Sequence, residues 1–99
     1  MKHKTESYDP SWLVELARKE NPNEHWLQEE LKKCTQRLLL SDDQAMVYFV
    51  NPQDANKPGS DWQFDFNIEF ESHDKGGVVI DILKGRKIGA VELLWLIKK

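Results

Sequence analysis

Residues 61–71, DWQFDFNIEFE, alternate between two kinds of side chain without a fault. Trp62, Phe64, Phe66, Ile68 and Phe70 share one parity, and Asp61, Gln63, Asp65, Asn67, Glu69 and Glu71 share the other. Successive side chains of a strand point to opposite faces, so the pattern predicts a two-faced β-strand with a large aromatic underside. Its other side carries four carboxylates and two amides, with neither Lys nor Arg. The clearest chemistry in the chain is therefore a rigid acidic surface, which suits binding better than catalysis.

A chain of 99 residues makes one domain, spanning 1–99, with room for one core. Charged residues are 31% and hydrophobic residues 39%, and four Trp argue against disorder. The net charge of -3 does not favour a nucleic-acid or anionic-membrane binder and is compatible with a basic protein partner. Cys34 is the single cysteine, so no internal disulfide can form, as expected of a reducing compartment. The N-terminal stretch MKHKTESYDP has no apolar run of the secretory kind, and no stretch is long enough to span a membrane. Cytoplasmic residence is the expectation.

Residues 1–8 are polar and read as loose. Asp9-Pro10 reads as an N-cap followed by proline at the first helical position, opening a helix over 10–19 with Trp12, Leu13, Leu16 and Ala17 on one face. Asn21-Pro22 repeats the signal and predicts a longer helix over 22–39. Its stripe is Leu27, Leu31, Cys34 and Leu38, with Trp26 beside it. Ser41-Asp42-Asp43 reads as a turn and 45–50, AMVYFV, as a short strand. The 51–60 loop, NPQDANKPGS, is long enough to carry function. After the acidic strand, 72–77 reads as a second turn, and 78–83 and 88–96 as two further strands.

These last two runs form a hairpin across Lys84-Gly85-Arg86-Lys87. A two-residue loop pairs Leu83 with Arg86, and a four-residue loop pairs Leu83 with Ile88. Both place Val78, Ile80 and Ile82 with Val91, Leu93 and Trp95 on one face, and Asp81 with Glu92 on the other. A one-residue slip would carry charges into the apolar face. The expected fold is α+β: two N-terminal helices packed on one face of a four-stranded, mainly antiparallel sheet. Residues 94–99 could end as strand or as a short helix.

The acidic strand has two readings, the wet side of a sheet or a docking surface for a cationic protein. Asp61, Asp65, Glu69 and Glu71 are the leading candidates for partner contact, Asp81 and Glu92 come next, and the 51–60 loop could add to them. Asp81 and Glu92 come closest to a catalytic dyad, with Val79, Leu83, Ala90 and Leu94 as expected neighbours and no nucleophile among them. No catalytic residue is therefore assigned, and the chain is not expected to be an enzyme. His25 and Glu29 have helical metal-ligand spacing but lack a third ligand, so no metal and no cofactor are expected. Cys34 reads as a buried small hydrophobe. Lys84, Arg86 and Lys87 at the hairpin tip, and Lys98 and Lys99, lack the interleaved aromatics of a nucleic-acid site.

The segment GGVVIDILKGRKIGAVELL combines an apolar run, Asp81, Ile82-Leu83, a Gly-Arg turn, Ile88-Gly89, and Glu92 between Val91 and Leu93. It resembles the closing hairpin of small bacterial immunity proteins of contact-dependent growth inhibition and other polymorphic toxin systems. The resemblance covers about a fifth of the chain and carries no interface residue with it. It implies an immunity protein that binds the C-terminal domain of a cognate toxin, often a nuclease, one to one, and blocks its active site or substrate groove. Nuclease sites hold phosphates and are usually cationic, which an acidic sheet face can complement. The alternative is a small regulatory or assembly module that binds a host protein or ligand.

Overall fold

The computed structural model describes residues 4–40, 45–72 and 75–96. The first helix, α1 (Ser11–Glu20), begins one residue later than expected. Pro10 is its N-cap, and the Pro10 carbonyl accepts hydrogen bonds from Leu13 N and Val14 N. Asp9 lies outside the helix, where its Oδ1 accepts from Ser11 N and Ser11 Oγ at 3.0 and 2.6 Å. Leu13, Val14 and Ala17 form the buried stripe.

The second helix, α2 (His25–Lys32), is far shorter than the 22–39 expected. Asn21-Pro22 belongs to a turn closed by Glu24 N to Asn21 O at 3.0 Å, and Glu24 is the N-cap. At the other end no glycine or proline stops the helix. Cys34 N still bonds Leu31 O at the helix end, but Gln36–Leu38 are drawn into sheet pairing, flanked by bonds from Tyr8 N to Thr35 O and from Leu39 N to Lys4 O. Strand β1 (Thr5–Ser7), within the segment read as loose, pairs antiparallel with β2 (Gln36–Leu38), matching Glu6 with Arg37. Tertiary pairing here overrides a helical pattern that had nothing local against it.

The remaining strands are β3 (Met46–Tyr48), β4 (Phe64–Ser72), β5 (Gly76–Leu83) and β6 (Lys87–Leu93), followed by a 3₁₀ turn at Leu94–Leu96. The fold is α+β, but the sheet has six strands rather than four, antiparallel throughout, in the order β1-β2-β3-β6-β5-β4. The last strand ends at Leu93, and the short helical ending is the 3₁₀ turn. The turn expected at 41–43 lies outside the described residues, as do His3, His73, Lys98 and Lys99.

Both helices cover one face of the sheet. Leu13, Val14, Ala17, Leu27, Leu31 and Cys34 pack there on Val47, Phe70, Val78, Ile80, Ile82, Ile88, Val91 and Leu93. The parity expected of the hairpin holds, although neither expected loop is present. Leu83 pairs with Lys87, leaving the three-residue loop Lys84-Gly85-Arg86, in which Gly85 and Arg86 adopt φ of 83° and 61°. An odd loop alone would reverse the faces. An irregularity follows at once: Asp81 pairs with Ala90 and Ile82 with Ile88, so Gly89 is the extra residue of a bulge. The Gly89 carbonyl then accepts from both Phe49 N and Val50 N, at 2.9 and 3.1 Å.

A second irregularity corrects the reading of the acidic strand. Asp65 is the extra residue between the pairs Phe64–Leu83 and Phe66–Ile82. The alternation is continuous in sequence, but the faces are exchanged across this point. Phe66, Ile68 and Phe70 look toward the helices, whereas Trp62 is buried on the opposite face with Leu83, Ala90, Met46, Tyr48 and Val50. Phe66 lies at the margin, 40% exposed, with its ring edge-on to Trp26 at 6.3 Å.

Gly89 leaves the space that Trp62 needs. A Cβ there would lie 2.9 Å from Leu83 Cγ and Cδ2 and 3.0 Å from Trp62 Cζ3. Leu83 and Trp62 are both buried, so Gly89→Ala is expected to destabilise by about 1–3 kcal/mol. Gly77→Ala is the control. Its Cβ would meet Leu94 Cδ1 at 2.6 Å, but Leu94 is exposed and its side chain can turn away. Urea midpoints separate the two, and equal losses would show that Trp62 does not sit over Gly89.

Candidate functional site

The register of β3, β6, β5 and the edge strand β4 builds a small lattice on the face away from the helices. One cross-strand row runs Glu69, Val79, Glu92, Met46, and the next runs Asn67, Asp81, Ala90, Tyr48. Glu71 lies opposite Gly77 on the far side of Glu69. Asp81 is thus diagonal to both Glu69 and Glu92, within reach of long side chains on the same face.

Trp62 closes one half of this face. The 51–60 loop holds it there, with Asn56 N bonded to Trp62 O at 2.7 Å and Ser60 Oγ to the same oxygen at 3.0 Å. Gln63 Nε2 donates to Lys57 O at 2.6 Å, and Phe64 N donates to Asn56 Oδ1 at 2.9 Å. Asp54 and Asn56 take positive φ in this loop, a conformation that short polar side chains tolerate. The loop is a clamp on Trp62, and residues 53–59 at its tip are exposed. Neither α1 nor α2 covers the acidic half of the face, and Leu94 of the 3₁₀ turn lies at its margin by Gly77 and Glu71.

The sequence candidates divide accordingly. Glu69 and Glu71 are exposed and stand together on the open face, and Glu92 is half-buried beside them. Asp65 is exposed but sits on the bulge. Asp61 lies in a bend ahead of β4 and belongs to no row. Asp81 is buried, at 7% exposure. Burial, then the charge of Glu92 and a side-chain hydrogen bond with it, push the Asp81 carboxyl up to about 7. Val79, Leu83 and Ala90 surround the pair as the sequence predicts, and none of them is a nucleophile.

The ion pairs and cation–π contacts lie elsewhere. Arg18 pairs with Glu15, Lys32 with Glu29, Lys33 with Glu30, Arg37 with Glu6 and Lys57 with Asp54. Lys75 and Arg86 each lie 4.8 Å from a ring centroid, over Trp12 and Trp26. Among the described residues no ion pair reaches Asp61, Asp65, Glu69, Glu71, Asp81 or Glu92.

Other chemistry has little to build on. Cys34 lies just past α2 and is buried. Desolvation first, and the charge of Glu30 second, push its thiol up to about 12, which leaves almost no thiolate near neutral pH. No three His, Cys, Asp or Glu gather as metal ligands among the described residues. No helix there is long and apolar enough to cross a membrane. The sequence reading missed Trp62, Met46 and Tyr48 as walls of the open face. The signal that could have found them is Gly89, since an interior strand glycine marks a bulge or a close approach. No protein-family model, curated protein or solved structure matches this chain.

Proposed function

We propose that this chain is a cytoplasmic immunity protein without enzymatic activity, which neutralises a cognate toxin domain by covering a cationic active site or substrate groove. The observation that carries this reading is the open acidic half of the sheet face. Glu69, Glu71 and Glu92 stand there without an internal cation among the described residues, while Glu6, Glu15, Glu29, Glu30 and Asp54 each have one. Like charges left side by side cost stability, and a partner supplying Lys and Arg removes that cost. A phosphate-binding nuclease groove has this complementary charge. The C-terminal hairpin, whose sequence resembles that of immunity proteins, provides β5 and β6 beneath the acidic row.

The test is charge reversal at Glu69 and Glu71, which lie on one face roughly 7 Å apart along the strand. Glu69→Lys with Glu71→Lys is expected to slow association with a cognate toxin domain by about tenfold or more at low salt, and to weaken protection of cells. The effect shrinks as salt rises, because the screening length is about 8 Å at 0.15 M. A folded double variant that associates at the wild-type rate at low salt would mean that this face is only solvated surface.

A further inference from the structure

We propose that β4 takes up a further strand: an extended segment of the protein partner, with Lys or Arg at alternate positions and apolar residues between them, pairs with its open edge at Asn67, Glu69 and Glu71. This inference rests on the acidic face being the docking surface, and it adds how the partner's chain lies there.

β4 ends the sheet, and no strand of the described residues lies beyond it. An antiparallel strand sends the N–H and C=O of one residue to one neighbour and those of the next residue to the other side. Leu93 N bonds Ala45 O at 2.7 Å and the Gly89 carbonyl accepts from Phe49 N, so Gly89, Val91 and Leu93 serve β3. Ala90 and Glu92 then serve β5, through Asp81 and Val79. Val78, Ile80 and Ile82 are left for β4, where they meet Phe70, Ile68 and Phe66. The backbone groups of Asn67, Glu69 and Glu71 therefore point out over the free edge. They span roughly 14 Å, a template for about five residues of an added strand. The bulge at Asp65 protects only the start of this edge, since pairing with β5 is continuous from Asn67 to Ser72.

The side chains on either side of the edge name the occupant. Residues of an added strand opposite Asn67, Glu69 and Glu71 share the acidic face, where Glu69 and Glu71 are exposed and without an ion pair among the described residues. Lys or Arg at those positions meets carboxylates across the strand pair. The residues between them fall on the helix side, beside half-buried Ile68 and beside Phe66, which is 40% exposed against Trp26. Apolar side chains suit that side. A second copy of β4 does not fit, because Phe64–Ser72 contains no Lys or Arg and supplies no cation in any register.

The probe is the peptide Val-Lys-Val-Lys-Val-Lys-Val, blocked at both ends, with a peptide of the same composition in the order Lys-Lys-Lys-Val-Val-Val-Val as control. Amide hydrogen exchange and NMR titration of the intact protein at low salt provide the readout. The alternating peptide is expected to slow exchange of the Asn67, Glu69 and Glu71 amides by about tenfold or more at saturation, and to bind about tenfold more tightly than the control. Asn67→Pro removes one outward N–H and keeps every carboxylate, a change that an edge strand tolerates, and should weaken binding about fivefold. Glu69→Gln with Glu71→Gln should weaken it further and remove most of its salt dependence. If both peptides bind equally, shift the Glu69 and Glu71 side chains and leave the three amides unprotected, the added strand is overturned and the acidic docking face stands. If those amides become protected in the protein alone as its concentration rises, the edge receives a second copy and the cationic strand is overturned. If neither peptide binds, both the strand and the docking face fall.

Discussion

Phe70→Ala is expected to cost about 3–5 kcal/mol, and Phe66→Ala less than about 2 kcal/mol, although both residues lie on one parity of one strand. Phe70 is 5% exposed and packs into the main core beneath the helices. Removing its ring leaves a cavity that Val78, opposite it on β5, cannot fill. Phe66 loses an edge-on contact with Trp26, and its place is already open to water. Asp65→Ala, on the exposed bulge, is expected to change stability by less than about 1 kcal/mol. Urea midpoints for the three variants rank them directly. Equal costs at Phe66 and Phe70 would show that the aromatic side is uniformly buried and that the register around Asp65 is different.

Asp81→Asn is expected to stabilise the protein at pH 8 by up to about 4 kcal/mol and to change little at pH 4. In the unfolded chain Asp81 loses its proton near 3.8, whereas in the folded chain it keeps it to about 7. Between those values the folded state binds the extra proton, so this residue's contribution falls as pH rises from about 4 to about 7 and stays at its lowest above that. Each tenfold difference in proton affinity between the two states is worth about 1.4 kcal/mol, which sets the ceiling. The neutral amide never becomes charged, so the variant lacks this slope. Glu92→Gln removes the neighbouring charge but leaves the burial, so it should recover only part of the effect. Denaturant titrations of the wild type and both variants at pH 5 and pH 8 provide the check. Parallel pH profiles for wild type and Asp81→Asn would show that Asp81 is ionised in the folded chain throughout this range.

Side-chain periodicity was enough to define much of this molecule. Period-two patterns placed Ile68 and Phe70 under the helices and kept Asp81 and Glu92 together, because a strand admits only two faces and charges are excluded from the apolar one. The helical spacing of Leu13, Ala17, Leu27 and Leu31 likewise marked the buried stripes of both helices. The acidity of Glu69 and Glu71 could be read directly.

Other features were decided by contacts between distant segments. Residues 34–39 carry no local stop signal, and they leave the helix because β1 supplies backbone partners some thirty positions earlier in the chain. The bulges at Asp65 and Gly89 each add one residue to one strand. A perfect alternation therefore conceals an exchange of faces, and an odd hairpin loop is compensated two residues after β6 begins. Trp62 went to the opposite face because the 51–60 loop clamps it over the space left by Gly89. The burial of Asp81 follows from its place beside Ala90 at the edge of the half that Trp62 covers. Its retained proton depends on low exposure and on a neighbour from another strand, and neither is a property of the residue or of the residues next to it in sequence.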